Sequence, residues 1–267
     1  MHRLTSIACL LACFVSCQPD PVPGEYQADA RAYATGQHEM VLIANLFVTA
    51  LNVDAWPVDS FAPGVDIRSE VNGGFRQVRM AFGDSTLCTD GRVRKGSITL
   101  LADLDWPDIG SSAELIPNSY SYTSRNAEKG FLSANKWTLN IKPPGAGDIP
   151  LLEHDLTGLK WQFREASVSW RGSFRQITFV GFDTPTFDDD VILVECNTGV
   201  GTSNEEFILR TAPPLLWRGR CPVWAGGKAV FQQDEETVFI LDFGQDECSG
   251  QATLTVGEEE LVLGMDD

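Results

Sequence analysis

Histidine is nearly missing from this chain of 267 residues: His2, His38 and His154 are the only three, too far apart for a local metal-ligand or triad motif. Positive charge is scarce as well. Lys and Arg number 20 against 37 Asp and Glu, a formal net charge of −17. That balance excludes the basic face needed to neutralise nucleic-acid phosphates. No apolar run reaches the roughly 20 residues of a membrane-spanning helix. From Cys17 onward there is no G-x-S-x-G, H-E-x-x-H, P-loop or C-x-x-C motif. Apolar content is not lacking. Hydrophobic residues make up 43% and aromatics 10%, enough to bury a core and to exclude disorder over most of the length.

Residues 1–17 read MHRLTSIACLLACFVSC. His2 and Arg3 make a short polar start. Ile7 to Val15 form an apolar stretch too short to cross a bilayer, the layout of a signal peptide over residues 1–16. Its end, Phe14-Val15-Ser16-Cys17, resembles a bacterial lipobox, with Phe14 where Leu is usual. That resemblance implies cleavage before Cys17 and thioether lipidation of Cys17. An ordinary secretory signal with an incidental cysteine is the competing account. Residues 17–32 then read as the lipidated Cys and a tether stiffened by Pro19, Pro21 and Pro23. Loss of Arg3 leaves a still more acidic chain, so acyl groups rather than the protein face must hold an anionic membrane.

Met40, Ile43, Ala44, Phe47, Val48 and Leu51 recur at three- and four-residue steps, which predicts a helix within 33–56. Leu42 and Leu46 widen its apolar face. From about Phe75 the period changes to two. Val78, Met80 and Phe82 alternate with Arg79 and Ala81, and Trp137, Leu139 and Ile141 alternate with Thr138 and Asn140. Similar runs occur at 97–100, 167–170, 176–179, 207–209 and 252–256. Gly73-Gly74, Lys95-Gly96, Arg171-Gly172, Asn197-Thr198-Gly199 and Pro213-Pro214 are among the turn signals between them. No βαβ alternation is present. The pattern predicts a mainly β protein over 57–267, an antiparallel meander or sandwich-like sheet, with one N-terminal helix.

Two stretches echo each other. Val78–Gly83 leads to Cys88, and Phe239–Gly244 leads to Cys248; both read strand, Phe-Gly, loop, Cys, Gly, strand. The physical reading is a pair of hairpins whose loops are pinned by their cysteines. Beyond Cys17, four cysteines remain, Cys88, Cys196, Cys221 and Cys248, and three connectivities are open.

FGDSTLCTDGRVRKGSITL (82–100) and CPVWAGGKAVFQQDEETVFILDFGQDECSGQATLTV (221–256) resemble segments of a family of secreted lipoproteins from Bacteroidetes bacteria. The lipobox and the following helix fit the same family; residues 101–215 fit only loosely. The resemblance implies an exported, anchored β protein and brings no activity with it. It supports a Cys221–Cys248 disulfide, to which the up-and-down excursion of the chain between them also points. Members of that family carry a Cys before the first Phe-Gly strand, whereas residues 55–81 here have none. Cys88 and Cys196 are therefore left as the second pair.

Asp183, Asp188, Asp189 and Asp190 form the densest carboxylate cluster, and clustered oxygens suit a hard cation such as Ca²⁺. The D-x-D-x-D-G spacing is absent, and a solvated turn before strand 191–194 is the competing account. Asp103, Asp105 and Asp108 make a second oxygen-rich loop. Seven tryptophans, at 56, 106, 137, 161, 170, 217 and 224, offer either sugar-stacking faces or core packing. The odd separation of Trp161 and Trp170 puts them on opposite faces of one continuous strand. Arg92, Arg94 and Lys95 read as a basic turn facing the acidic surface. His154 reads as a loop residue. No spacing selects a pair of acids, so no catalytic residue is assigned.

The expectation is a lipid-anchored lipoprotein of the bacterial outer membrane or cell surface. Its role is structural or binding, toward a glycan or another envelope protein, with no nucleic acid involved. The alternative is a glycan-active hydrolase that uses acidic residues.

Overall fold

The computed structural model describes residues 22–52, 61–124, 129–143, 151–180, 189–203, 205–221, 223–245 and 248–265, with the backbone alone at 49–52 and 180. Cys17, Trp56, Asp183 and Asp188 lie outside the described residues.

The helix α1 runs from Gly24 to Asn52. It begins within the stretch expected as tether, because nothing after Pro23 opposes a helix: Glu25 sits in its first turn and Ala28, Ala30, Ala32 and Ala34 favour it. From Ala32 to Val48 every side chain except Thr35 is buried. A helix covered on all sides belongs inside a fold.

The described strands are β1 (Asp66–Asn72), β2 (Phe75–Leu87), β3 (Val93–Asp103), β4 (Ser112–Thr123) and β5 (Lys129–Ser133). Next come β6 (Lys136–Lys142), β7 (Leu151–Gln162), β8 (Ser167–Val180), β9 (Val191–Gly201) and β10 (Glu206–Thr211). The last are β11 (Leu215–Arg218), β12 (Lys228–Gln233), β13 (Glu236–Asp242), β14 (Gln251–Val256) and β15 (Glu259–Gly264). They form one antiparallel sheet in nearly sequential order. β6 sits between β4 and β7, and β11 pairs with β9.

This sheet wraps the helix. Tyr26 meets Phe239 of β13, and Tyr33 meets Phe231 of β12 and Trp170 of β8. The Trp224 Nε1–H donates to the Ala34 carbonyl at 3.1 Å. Glu39 reaches Arg94 on β3 and Tyr120 on β4. Contacts from β3 to β13 leave the helix in the middle of the strands rather than beside them.

Alternation supplies the inner face. In β9, Ile192, Val194, Cys196, Thr198 and Val200 point inward, and the residues between them point outward. At Gly36 the helix approaches the wall closely: an added Cβ would lie 2.8 Å from both Trp161 and Trp170. Only a glycine fits there.

Several turn signals lie within strands. Gly96 (φ 79°) and Gly172 (φ 105°) are at or beside register irregularities in β3 and β8. Asn197-Thr198-Gly199 runs straight through β9. A tightly curved sheet needs such bulges, and glycine supplies the positive φ. By contrast, Gly73-Gly74 (φ 58° and 92°) does close a two-residue hairpin between Asn72 and Phe75, which requires positive φ at both positions.

Trp161 and Trp170 stand on the adjacent strands β7 and β8, not on one strand, so both are fully buried. The six described tryptophans are all buried, which removes them as an exposed sugar-stacking patch.

Cys221 and Cys248 form a disulfide with Cα atoms 5.1 Å apart. Cys88 and Cys196 are separate buried thiols, a correction to the expected second bridge. Cys88 lies beside Arg94 and Asp90, at the level of Glu39, whereas Cys196 on β9 lies beside Tyr33. They belong to different walls of the wrapped sheet. Only one of the two echoing hairpins is therefore pinned by its cysteine.

The Cys221–Cys248 bridge closes a loop of sequence separation 27. In the chain-entropy account that closure is worth about 3.5 kcal/mol. Cys221→Ser should lower the Tm by about 7–10 °C and expose one thiol at Cys248. An unchanged Tm in non-reducing buffer would contradict this contribution.

Candidate functional site

Two places combine polar chemistry with a defined geometry. One is sealed inside the sheet and the other is open on its outer face.

The sealed site grows from the helix. Glu39 Oε1 accepts hydrogen bonds from Arg94 Nε at 2.8 Å and from Tyr120 OH at 2.5 Å. Its Oε2 accepts from Arg94 Nη2 at 2.8 Å and from Arg92 Nη1 at 3.2 Å. The Arg94 guanidinium also donates to both oxygens of Asp90, at 2.9 and 2.7 Å. Two acids and two arginines thus balance with no net charge, and the bidentate geometry is the strong form of the pairing. Burial pushes the Asp90 carboxyl up, but Arg94 and Arg92 overcome it and hold the group down at about 2. Burial, with Glu39 alongside, pushes Tyr120 well above its ordinary value. Burial lifts the Cys88 thiol to about 11, which keeps it protonated and unreactive.

Arg92 and Arg94 are therefore inside the protein, a correction to the expected surface turn; only Lys95 faces solvent. The reason is the strand period: Arg92 and Arg94 share the inward face and Lys95 the outward one.

Both described histidines serve this interior. The Trp217 Nε1–H donates to His38 Nε2 at 2.8 Å. Because indole only donates, Nε2 is the accepting nitrogen; Arg92 Nη1 lies 3.5 Å from Nδ1, and the Cys221 backbone also hydrogen-bonds the ring. Burial first, then Arg92, hold His38 well below its usual range. His154 lies within β7 rather than in a loop. It accepts from Trp137 Nε1 at 3.3 Å and donates from Nε2 to Gln176 Oε1 at 3.2 Å. Burial lowers it to about 3, so it stays neutral.

The aspartate cluster divides. Asp189 is exposed, whereas Asp190 is buried, and its Oδ2 accepts from Asn45 Nδ2 of the helix at 2.5 Å. Its Oδ1 has no hydrogen-bond partner among the described residues. Burial, with Asp189 adding repulsion, raises Asp190 to about 7. Among the described residues, no group of three His, Cys, Asp or Glu side chains converges as a metal site.

The open site is a groove of about 350 Å³ on the outer face of β1, β2, β3, β4 and β6. Phe75 and Gln77 lie on one side, Lys136 and Thr138 on the other, with Asp103 and Glu114 between. Asp103 Oδ2 accepts from the Ser112 backbone N–H at 2.8 Å and its hydroxyl at 3.0 Å. Phe75 is 53% exposed, and the Thr138 hydroxyl is shielded without a partner among the described residues. Register puts Leu101 opposite Glu114, so Asp103 and Glu114 are diagonal neighbours on adjacent strands. Sequence spacing placed Asp103 in a loop with Asp105 and Asp108. The sheet gives it Glu114 instead, and no local signal joins those two positions.

Comparison with protein-family models, curated proteins and solved structures finds no match to this chain.

Asp190 offers a pH test. The folded protein keeps its proton up to about pH 7, whereas the unfolded chain releases it near pH 4. The unfolded state then binds fewer protons, so this group costs stability as pH rises from about 4 to 7. Asp190→Asn leaves an oxygen for Asn45 and removes that cost. The Tm of the variant minus that of the parent should grow across this interval and level off above it. A difference that is flat with pH would refute the buried-acid account. His38 and His154 act in the opposite direction but cancel, being present in both proteins.

Proposed function

We propose that this protein is a lipid-anchored lipoprotein of the bacterial cell envelope with a structural or binding role. The observation that carries the reading is the filled interior. Groups with strongly altered acidity, among them Tyr33, His38, Arg94, Tyr120, His154 and Cys196, are buried inside the wrapped sheet, and Asp190 is buried against Asn45 of the helix. Such shifts serve catalysis when they line a cleft; sealed inside, they serve structure. The outer groove is then the surface available for a partner. The lipobox resemblance supports the anchor, with Cys17 as its attachment point. Outer membrane or cell surface is the location this reading assigns, and a glycan or another envelope protein is the partner class.

A second reading has one observation in its favour. Asp103 and Glu114 line the same groove from adjacent strands, and a glycosidase needs two carboxyl groups facing one cleft. A hydrolase of glycans using these acids is the alternative.

Fractionation decides the first reading. The full-length protein should enter the membrane fraction with the mass of an acylated Cys17 chain. Cys17→Ser should leave the membrane and keep or mis-cleave its leader. Unchanged fractionation and mass on Cys17→Ser would overturn the anchor. Release of reducing ends from a neutral polysaccharide, lost in both Asp103→Asn and Glu114→Gln, would establish the hydrolase instead.

A further inference from the structure

The direction of β4 relative to the helix locates the groove. Tyr120 bonds Glu39, whereas Tyr122, two residues later, packs on Trp161, which abuts Gly36. β4 therefore runs toward the N-terminal end of the helix as the sequence advances. Ser112 and Glu114, at its start, lie toward the C-terminal end. The helix has 29 residues and is about 43 Å long. Cys17 is only seven residues before Gly24, at most about 25 Å of extended chain. With Cys17 as the anchor, the groove stands at the far end of the molecule from the membrane.

Its chemistry is mixed in a particular way. Phe75 presents an exposed aromatic face. Around it are an amide, Gln77, two carboxylates, Asp103 and Glu114, and an ammonium, Lys136. Donors and acceptors are both represented. The two acids against one lysine oppose an anionic ligand, and the polar lining opposes a purely apolar one. A sugar ring has a C–H face that packs on an aromatic side chain and hydroxyl groups that both donate and accept. The groove volume of about 350 Å³ falls in the range of small-ligand sites.

We infer that the groove binds an uncharged carbohydrate, with Phe75 as its stacking platform and Gln77, Glu114 and Lys136 as its hydrogen-bonding partners, and that it faces away from the membrane. The inference deepens the anchored-binder reading: the outward orientation rests on that reading, whereas the sugar site rests on the groove alone.

The test uses the full-length protein in a detergent without a sugar headgroup. Neutral tetrasaccharides of glucose, mannose, galactose, xylose and N-acetylglucosamine are titrated in, with tetragalacturonate as the anionic probe. Saturation-transfer NMR on the sugar protons gives the readout. At least one neutral tetrasaccharide should bind, and tetragalacturonate should not. Phe75→Ala should weaken binding about tenfold, and Phe75→Tyr should retain it. Gln77→Ala should weaken binding with an unchanged Tm. Phe131→Ala, at an exposed aromatic on β5 outside the groove, should change nothing. Absence of binding to every neutral probe overturns the assignment. So does binding that Phe75→Ala leaves intact, or a preference for tetragalacturonate. Membrane fractionation of the Cys17→Ser protein is read separately, so a failed sugar site with intact anchoring leaves the anchored reading in place.

Discussion

A carboxylate in the middle of a buried helix is the constraint on which the rest depends. Glu39 is fully covered and cannot stay charged without compensation. Arg94 answers it from β3 with two hydrogen bonds, Tyr120 from β4 with one, and Arg92 adds a fourth. Asp90 holds the far side of Arg94. Removing one member of such a set leaves a buried charge uncompensated, at a cost of about 3–5 kcal/mol. The network therefore fixes which side of the helix meets which strands. A core made only of apolar contacts would leave the helix freer to rotate or slide within its sleeve.

The other polar contacts of the helix extend that registration along its length. His38 ties Trp217 on β11 to the Cys221 end of the disulfide. Asn45 ties Asp190 at the entry to β9. Two residues before His38, Gly36 lets Trp161 and Trp170 close on the helix backbone. Aromatic pairs complete the packing, among them the stacked Phe231 and Phe239 at a centroid distance of 4.0 Å. The altered acids and bases among the described residues are buried together with the helix in this core. On the outer face, residues of β1, β2, β3, β4 and β6 line a groove.

Some of this was legible in the chain and some was not, for reasons visible at individual residues. Period-two alternation marked parts of β2, β3, β6, β10 and β14 because apolar side chains such as Met80, Leu100, Leu139, Leu209 and Leu254 recur on their inner faces. β7 was hidden because His154 takes an inward position normally apolar, and its polarity reads as a loop. β4 was hidden by Pro117 and by Ser119, which adopts a positive φ of 52°. Gly96 and Gly172 look like turns in sequence because glycine marks turns and bulges alike. The disulfide could be anticipated because its cysteines flank one hairpin, so local topology brings them together. Cys88 and Cys196 had no such local reason and remain apart.

The sequence by itself determined the class of fold: an apolar helical repeat followed by short alternating strands can only bury its surface as a helix against an antiparallel sheet. It also determined the acidic surface and the exclusions that follow from it. Only the tertiary structure decided where the helix sits, because burial on every side is a relation to strands more than a hundred residues away. Only the tertiary structure turned Arg92 and Arg94 inward to Glu39, about 55 residues before them, since a charge run looks the same in sequence whether it faces water or an acid. The groove was likewise beyond the sequence. Phe75, Asp103, Glu114 and Thr138 come from four strands, and hydrogen-bond register, which no local pattern encodes, is what places them side by side.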